Sequence, residues 1–229
     1  MGKILKFIEE ATEGECFTSF KYSYDDDKVP GIEYETQEET YINLKEYAEE
    51  VKDPKPRDLT QKAKLCMQGP PLFKYFLDGS RKVYKLDDIQ YDKKVYPIVG
   101  GQIAVACCGR DVDDDGNFIG FHKVEEEAYS VLCLPVKSNG EGIDHNVFFR
   151  NLCNKIKEKP GLNSANVHLE KIMYYQTKLE GRETLENKGI ARIQDEMVDC
   201  EKRIVSFLMS TYLLNQDSYL IKDGSIQYK

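Results

Sequence analysis

The chain has no C-x-x-C pair, no apolar run of 18 residues, no glycine-rich phosphate loop and no excess of positive charge. Each absence removes a class of protein. Without cysteines at paired ligand spacing, a structural zinc site has no ligand set. The three histidines, His122, His145 and His168, are too scattered to supply one. Without a long apolar run, no membrane-spanning helix is expected. The start, M-G-K-I-L-K-F-I-E-E, lacks the apolar centre of a secretory signal, and Lys6 stands where a myristoylation signal wants Ser or Thr. No G-x-S-x-G, P-loop or dinucleotide fingerprint occurs, since Gly100-Gly101 has no third glycine. The net charge is −8, so a contact with nucleic acid must use local basic patches, metal ions or a partner.

What is present is material for a core. The 229 residues are 41% hydrophobic and include 15 Tyr and 10 Phe, enough for one large domain or a domain with an extension. Seven cysteines, an odd number, sit mostly in apolar runs such as A-V-A-C-C and S-V-L-C-L. Reduced core thiols are expected, in a soluble cytoplasmic protein.

Residues 1–70 read as an N-terminal extension, irregular and helical by turns. A short helix is expected over 2–11, irregular chain over 18–35, and a helix over 36–52 with Tyr41, Leu44, Tyr47, Ala48 and Val51 on one face. D-P-K-P-R-D ends that helix, and a further one is expected over 58–68. Residues 71–229 read as the main domain. It opens as a β-meander with strands over 72–77, 95–107 and 126–136. Residues 82–86 extend the first strand or start a turn. A bulge is expected at Gly100-Gly101 and a turn at 111–117. Asp144 is placed to cap a helix over 145–158, and residues 163–180 read as partly helical. The strongest periodicity lies in 188–214, where Ile190, Ile193, Met197, Cys200, Ile204, Phe207 and Leu208 recur at helical spacing. A strand over 219–222 follows.

Two short pieces of this chain are nearly alike. F-K-Y-F-L-D-G-S at 73–80 and Y-L-I-K-D-G-S at 219–225 each end an apolar run in aspartate. Gly-Ser then reads as a turn, which puts Asp78 and Asp223 at the ends of two strands. Glu201 lies on the apolar stripe of the long helix just before the second copy, with Glu196 as the second choice. An unpaired carboxylate buried there costs several kcal/mol. Three carboxylates offered to one place suit Mg²⁺ or Mn²⁺, which prefer such oxygens. Two such ions, about 3.5–4 Å apart, activate a water and stabilise the leaving oxygen of a phosphodiester. Taken singly, a D-G-S is an ordinary turn, and a glutamate beside an apolar stripe often snorkels at its edge.

F-L-D-G-S-R (76–81), P-I-V-G-G-Q-I-A-V-A (97–106), R-I-Q-D-E-M-V-D-C-E (192–201) and L-I-K-D-G-S (220–225) together resemble the NurA nuclease family over residues 72–229. The resemblance implies an α/β fold, a ribonuclease H-like mixed sheet with flanking helices. It implies a manganese-dependent DNA nuclease that forms a homodimer and works with a hexameric HerA-type ATPase in DNA end processing or phage defence. It assigns Asp78, Glu201 and Asp223 as catalytic metal ligands for Mn²⁺ or Mg²⁺, with Ser80 and Arg81 completing the first motif on the DNA. Two departures stand out. Asp78 and Asp223 are far apart for the family, which implies an insertion within 108–190. The family also continues beyond the second aspartate, which implies an incomplete C-terminal part. Two other readings stay open: a non-catalytic scaffold of a DNA-processing complex, and a PIWI-like nuclease acting on RNA.

D-V-D-D-D-G-N-F-I-G-F-H places Asp111, Asp113, Asp115 and Gly116 as a calcium loop would, but His122 stands where glutamate is needed. An acidic hairpin tip is the expected outcome. Asp25-Asp26-Asp27 and the lysines 155, 157, 159 and 171 read as solvated surface, the lysines alternatively as phosphate contacts.

Overall fold

A computed structural model describes residues 2–25, 58–66, 71–136, 144–159, 161–162, 168–178 and 184–223. The helix expected over 36–52 and the Gly-Ser of the second motif lie outside them. The described elements run α1 (Gly2–Thr12), β1 (Glu15–Phe17), β2 (Tyr22–Ser23), α2 (Thr60–Cys66), β3 (Phe73–Tyr91), β4 (Lys94–Val112), β5 (Phe118–Pro135), α3 (His145–Glu158), β6 (Leu169–Tyr175), α4 (Leu185–Ser210) and β7 (Tyr219–Lys222).

The protein is α/β, with one mixed sheet flanked by helices. Its strand order is β1-β3-β4-β5-β6. The β3–β4–β5 meander is antiparallel, and β6 adds in parallel to β5. The outer edge of β3 is shared by three short strands: β7 in parallel at its start, then β2 and β1 antiparallel along the rest. Residues 2–25 are thus built into the sheet, and α1 buries Ile4, Leu5 and Ile8 in its core.

Three expectations are corrected here. Gly79-Ser80 does not turn the chain. Both residues stay in the β3–β4 ladder opposite Val105 and Ala104, and β3 continues to Tyr91. A 19-residue partner strand supplies hydrogen bonds through the motif, which removes the need to turn. Residues 169–175 form strand β6 rather than helix, because β5 offers a parallel partner edge to I-M-Y-Y and its neighbours. The bulges also fall elsewhere. Register shifts lie at Lys85/Asp87, Cys107/Cys108 and Asp111/Val112, not at Gly100-Gly101. Those two glycines serve packing. A Cβ at Gly101 would stand 2.7 Å from Ile193 Cγ2, and one at Gly100 2.6 Å from Leu86 Cδ1.

Helix α4 covers one face of the sheet. Its stripe of Ile193, Met197, Cys200, Ile204 and Leu208 packs on Leu77, Val83, Val99, Ile103, Val105 and Val131. Each fully buried aliphatic chain contributes about 1.5–3 kcal/mol. Thr184 caps the helix by accepting the Asn187 N–H. Helices α1 and α3 cover part of the opposite face, over Ile89, Ile98, Leu132 and Leu134. Asp144 caps α3 as its side chain accepts the N–H groups of Asn146 (2.9 Å) and Val147 (3.2 Å). The acidic tip between β4 and β5 is an Asx-stabilised turn. Asp113 accepts the N–H groups of Asp115 and Asn117, and Gly116 takes φ +83°. Cys16, Cys107, Cys108, Cys133, Cys153 and Cys200 are free thiols, four of them buried. No helix among the described residues is long and apolar enough to cross a membrane.

Candidate functional site

The two D-G-S aspartates come together through the parallel pairing of β7 with β3. Leu77 is register partner of Lys222, so Asp78 and Asp223 are the next residues on neighbouring strands. Asp78 is exposed, and its carboxylate accepts the Gly79 N–H at 2.8 Å. Glu201 reaches the same stretch of β3 from above. A Cβ on Gly79 would stand 2.8 Å from Glu201 Oε1 and 3.4 Å from Met197. Glycine at 79 therefore makes room for α4.

That contact decides which acids share a face. Residue 79 faces α4, and side chains alternate along a strand. Asp78 and Ser80 therefore lie on the opposite face from Glu201. Glu201 is 4% exposed, and the Lys222 ammonium lies 3.0 Å from its Oε2, a purely ionic contact without hydrogen-bond alignment. The same ammonium donates to the Asp223 carbonyl at 3.0 Å. Arg81, on the α4 face, donates from Nε to Gln194 Oε1 and pairs with Asp25 at 3.3 Å. Asp25 in turn accepts the Val83 N–H. The acidic run at 25–27 thus begins with a residue that latches the chain to β3.

A second buried carboxylate lies farther along α4. Glu196, also 4% exposed, accepts from Tyr129 Oη at 2.7 Å and pairs with Lys171 at 2.5 Å. Tyr129 Oη and Arg203 each lie 2.9 Å from Cys200 Sγ, and Arg203 forks onto Glu127 at 3.0 and 2.6 Å. Burial pushes the Cys200 thiol above its ordinary range, so it is an unreactive member of this network. The network walls a cleft of about 600 Å³ between α3, β6 and α4, which Arg150, Lys157 and Arg192 also line. In sequence only the helical position of Glu196 hinted at it, because Tyr129 and Lys171 arrive from other strands. Lys157, one of the candidate phosphate contacts, is paired with Glu170 at 2.7 Å.

Hydrogen bonding from Arg203 lowers the Glu127 carboxyl below its ordinary value. A depressed carboxylate contributes stability that is present above its unfolded value, near 4.5, and lost as pH falls through the folded value. Glu127→Gln should therefore cost about 1 kcal/mol at pH 7, and less as the pH falls below 4.5. Urea unfolding at pH 7 and in acid checks this, and a difference that persists undiminished in acid removes the ionic explanation.

Among the described residues, no group of three or more His, Cys, Asp or Glu side chains is placed to hold a metal ion. Asp78 and Asp223 each follow a residue of the register pair Leu77–Lys222, and Glu201 is turned to Lys222. Two carboxylates do suit Mg²⁺ or Mn²⁺ when substrate phosphates complete the set. The donor chemistry fits a cation held by those two aspartates and a phosphate. It does not fit one held by all three acids.

Compared with known proteins, the chain matches no family model, no curated protein and no solved structure.

Proposed function

We propose that this protein is a metal-dependent DNA nuclease of NurA type on a ribonuclease H-like core. The observation that carries the reading is the strand order β5-β4-β3-β7. An antiparallel meander is followed by a helix, and the chain then returns in parallel beside the meander's first strand. That crossover brings two aspartates, 78 and 223, from opposite ends of the domain onto neighbouring strands. Turn chemistry alone would not pair them. Helix α3 and strand β6 lie within 108–190, where the resemblance implies an insertion.

In this reading Asp78 and Asp223 present their carboxylates to the cation beside a phosphodiester. The bound cation supplies charge neutralisation and a more acidic water. Ser80, exposed and on the face of Asp78, offers a hydroxyl to a neighbouring phosphate oxygen. Lys222 pairs with Glu201 behind the two aspartates and braces β7 against α4. The homodimer and the hexameric HerA-type ATPase partner follow from the same resemblance.

A non-catalytic scaffold is the second reading, and the pairing of Glu201 with Lys222 is the observation that favours it. Cleavage of end-labelled DNA separates the two. The parent should cut with Mn²⁺ and not with EDTA. Asp78→Ala should lose at least about a hundredfold in rate, since metal stabilisation of a transition state is worth several kcal/mol. Its thermal midpoint should stay within about 2 °C of the parent, because surface changes cost little. No cutting by the parent with Mn²⁺ would sink the nuclease reading.

A further inference from the structure

We infer that the uncovered end of the sheet face bearing Asp78 is a stacking platform for unpaired nucleobases, with Arg110 as its phosphate contact. Helices α1 and α3 cover the other part of this face. Among the described residues nothing covers the part built from the start of β3, the end of β4 and the start of β5. It carries three aromatic rings. Phe76 meets Phe121 edge-on at 5.5 Å, and Phe121 meets Phe118 at 4.9 Å. Phe118 is 56% exposed and Phe121 57%, so their rings face solvent rather than core.

Arg110 marks this as more than a bare apolar face. Its guanidinium carbon lies 5.4 Å from the Phe76 ring centre and 5.9 Å from that of Phe118. Its Nε is buried and has no hydrogen-bond partner, and no carboxylate among the described residues pairs with it. A guanidinium held by two rings and left without an anion is set to receive one from outside. Its planar fork suits phosphate oxygens in particular. Two acids of the adjoining strand end and turn are already engaged: Asp111 lies 2.6 Å from the His122 ring nitrogen, and Asp113 is folded into its own turn.

Exposed rings beside an unpaired cation form the chemistry that grips single strands, whose bases are free to stack. Duplex bases are stacked on one another and cannot use the rings. Phe76 also lies two residues before Asp78, so both belong to one face of β3. A strand seated on the rings therefore runs its next phosphodiesters toward Asp78 and Asp223. The platform rests on the nuclease reading for its choice of DNA as ligand and for its direction, and on the rings and Arg110 for the rest.

The test is fluorescence anisotropy with a 5′-fluorescein oligothymidylate of about 20 nucleotides, in EDTA so that binding is read without cleavage. Phe118→Ala with Phe121→Ala should weaken single-strand binding at least about tenfold. Binding of a duplex of equal length should not change. Arg110→Ala should weaken the same complex and reduce the slope of log affinity against log salt by about 0.7. The phenylalanine pair should leave that slope as it is. Three results overturn the inference. One is parental single-strand affinity in the phenylalanine variant, or no binding by the parent. Another is loss of a dimer in sedimentation with affinity unchanged, which makes the face a self-interface. The third is a large fall in thermal midpoint with affinity unchanged, which makes it a surface covered by the chain itself. Cleavage lost in Asp78→Ala while the phenylalanine variant binds as the parent removes the platform and keeps the nuclease. Ring-dependent binding without any cleavage removes the nuclease and keeps the platform.

Discussion

Lys222→Met is expected to destabilise the protein by about 3–5 kcal/mol, because it leaves the Glu201 carboxylate buried without its cation. The side chains of Lys222 and Glu201 are 10% and 5% exposed, so solvent screens the pair little. Glu201→Met with Lys222→Met should recover most of the loss, since apolar replacements of a buried pair are often neutral or better. The double-mutant cycle in urea is the measurement. Single costs below about 1 kcal/mol would mean that the pair behaves like an exposed one and does not fasten β7 to α4. The same variants bear on function. If Lys222 only braces the fold, the double change should retain Mn²⁺-dependent cleavage in the fraction that is folded.

Ile193→Ala is expected to cost about 3 kcal/mol by opening a cavity between α4 and the sheet. Ile193 is fully buried, and its Cγ2 occupies the space that a side chain at Gly101 would fill. Gly101→Ala in the parent should cost about 1–3 kcal/mol, as its Cβ would meet Ile193 at 2.7 Å. The two changes are therefore not additive. Combined, the new methyl enters the space the isoleucine leaves, and the double variant should be more stable than the sum of the single losses predicts. Additivity would show that α4 slides on the sheet rather than keying into it.

The parts of the fold that a local pattern encodes were readable in the residues. The α4 stripe was readable because helical spacing repeats along the helix: Ile193, Met197, Cys200, Ile204 and Leu208 are buried as the periodicity expects, while Ile190 is half-buried and Phe207 exposed at the edges of the stripe. The span of α3 followed from Asp144 and from the break at Pro160-Gly161, which act within a turn of the helix. The acidic hairpin tip followed from Asp113 and Gly116, which serve their own turn. The candidate acids were also readable as residues: 78 and 223 at like places in like strings, and 201 on the apolar side of its helix.

Where those acids go was not local. Asp78 reads as a strand end only until β4 is known to pair straight through Gly79 and Ser80. Residues 169–175 read as partly helical until β5 presents a free edge. The neighbouring of Asp78 and Asp223 depends on β7 choosing the outer edge of β3, a pairing over most of the domain that no window of residues contains. Glu201 turns to Lys222 because α4 sits on Gly79, and one step of strand alternation then sends Asp78 to the far face. Short-range rules of period and capping are written into the sequence one turn at a time. Which edges meet, and which side of the sheet an acid shows, is decided only when the whole sheet closes on its core.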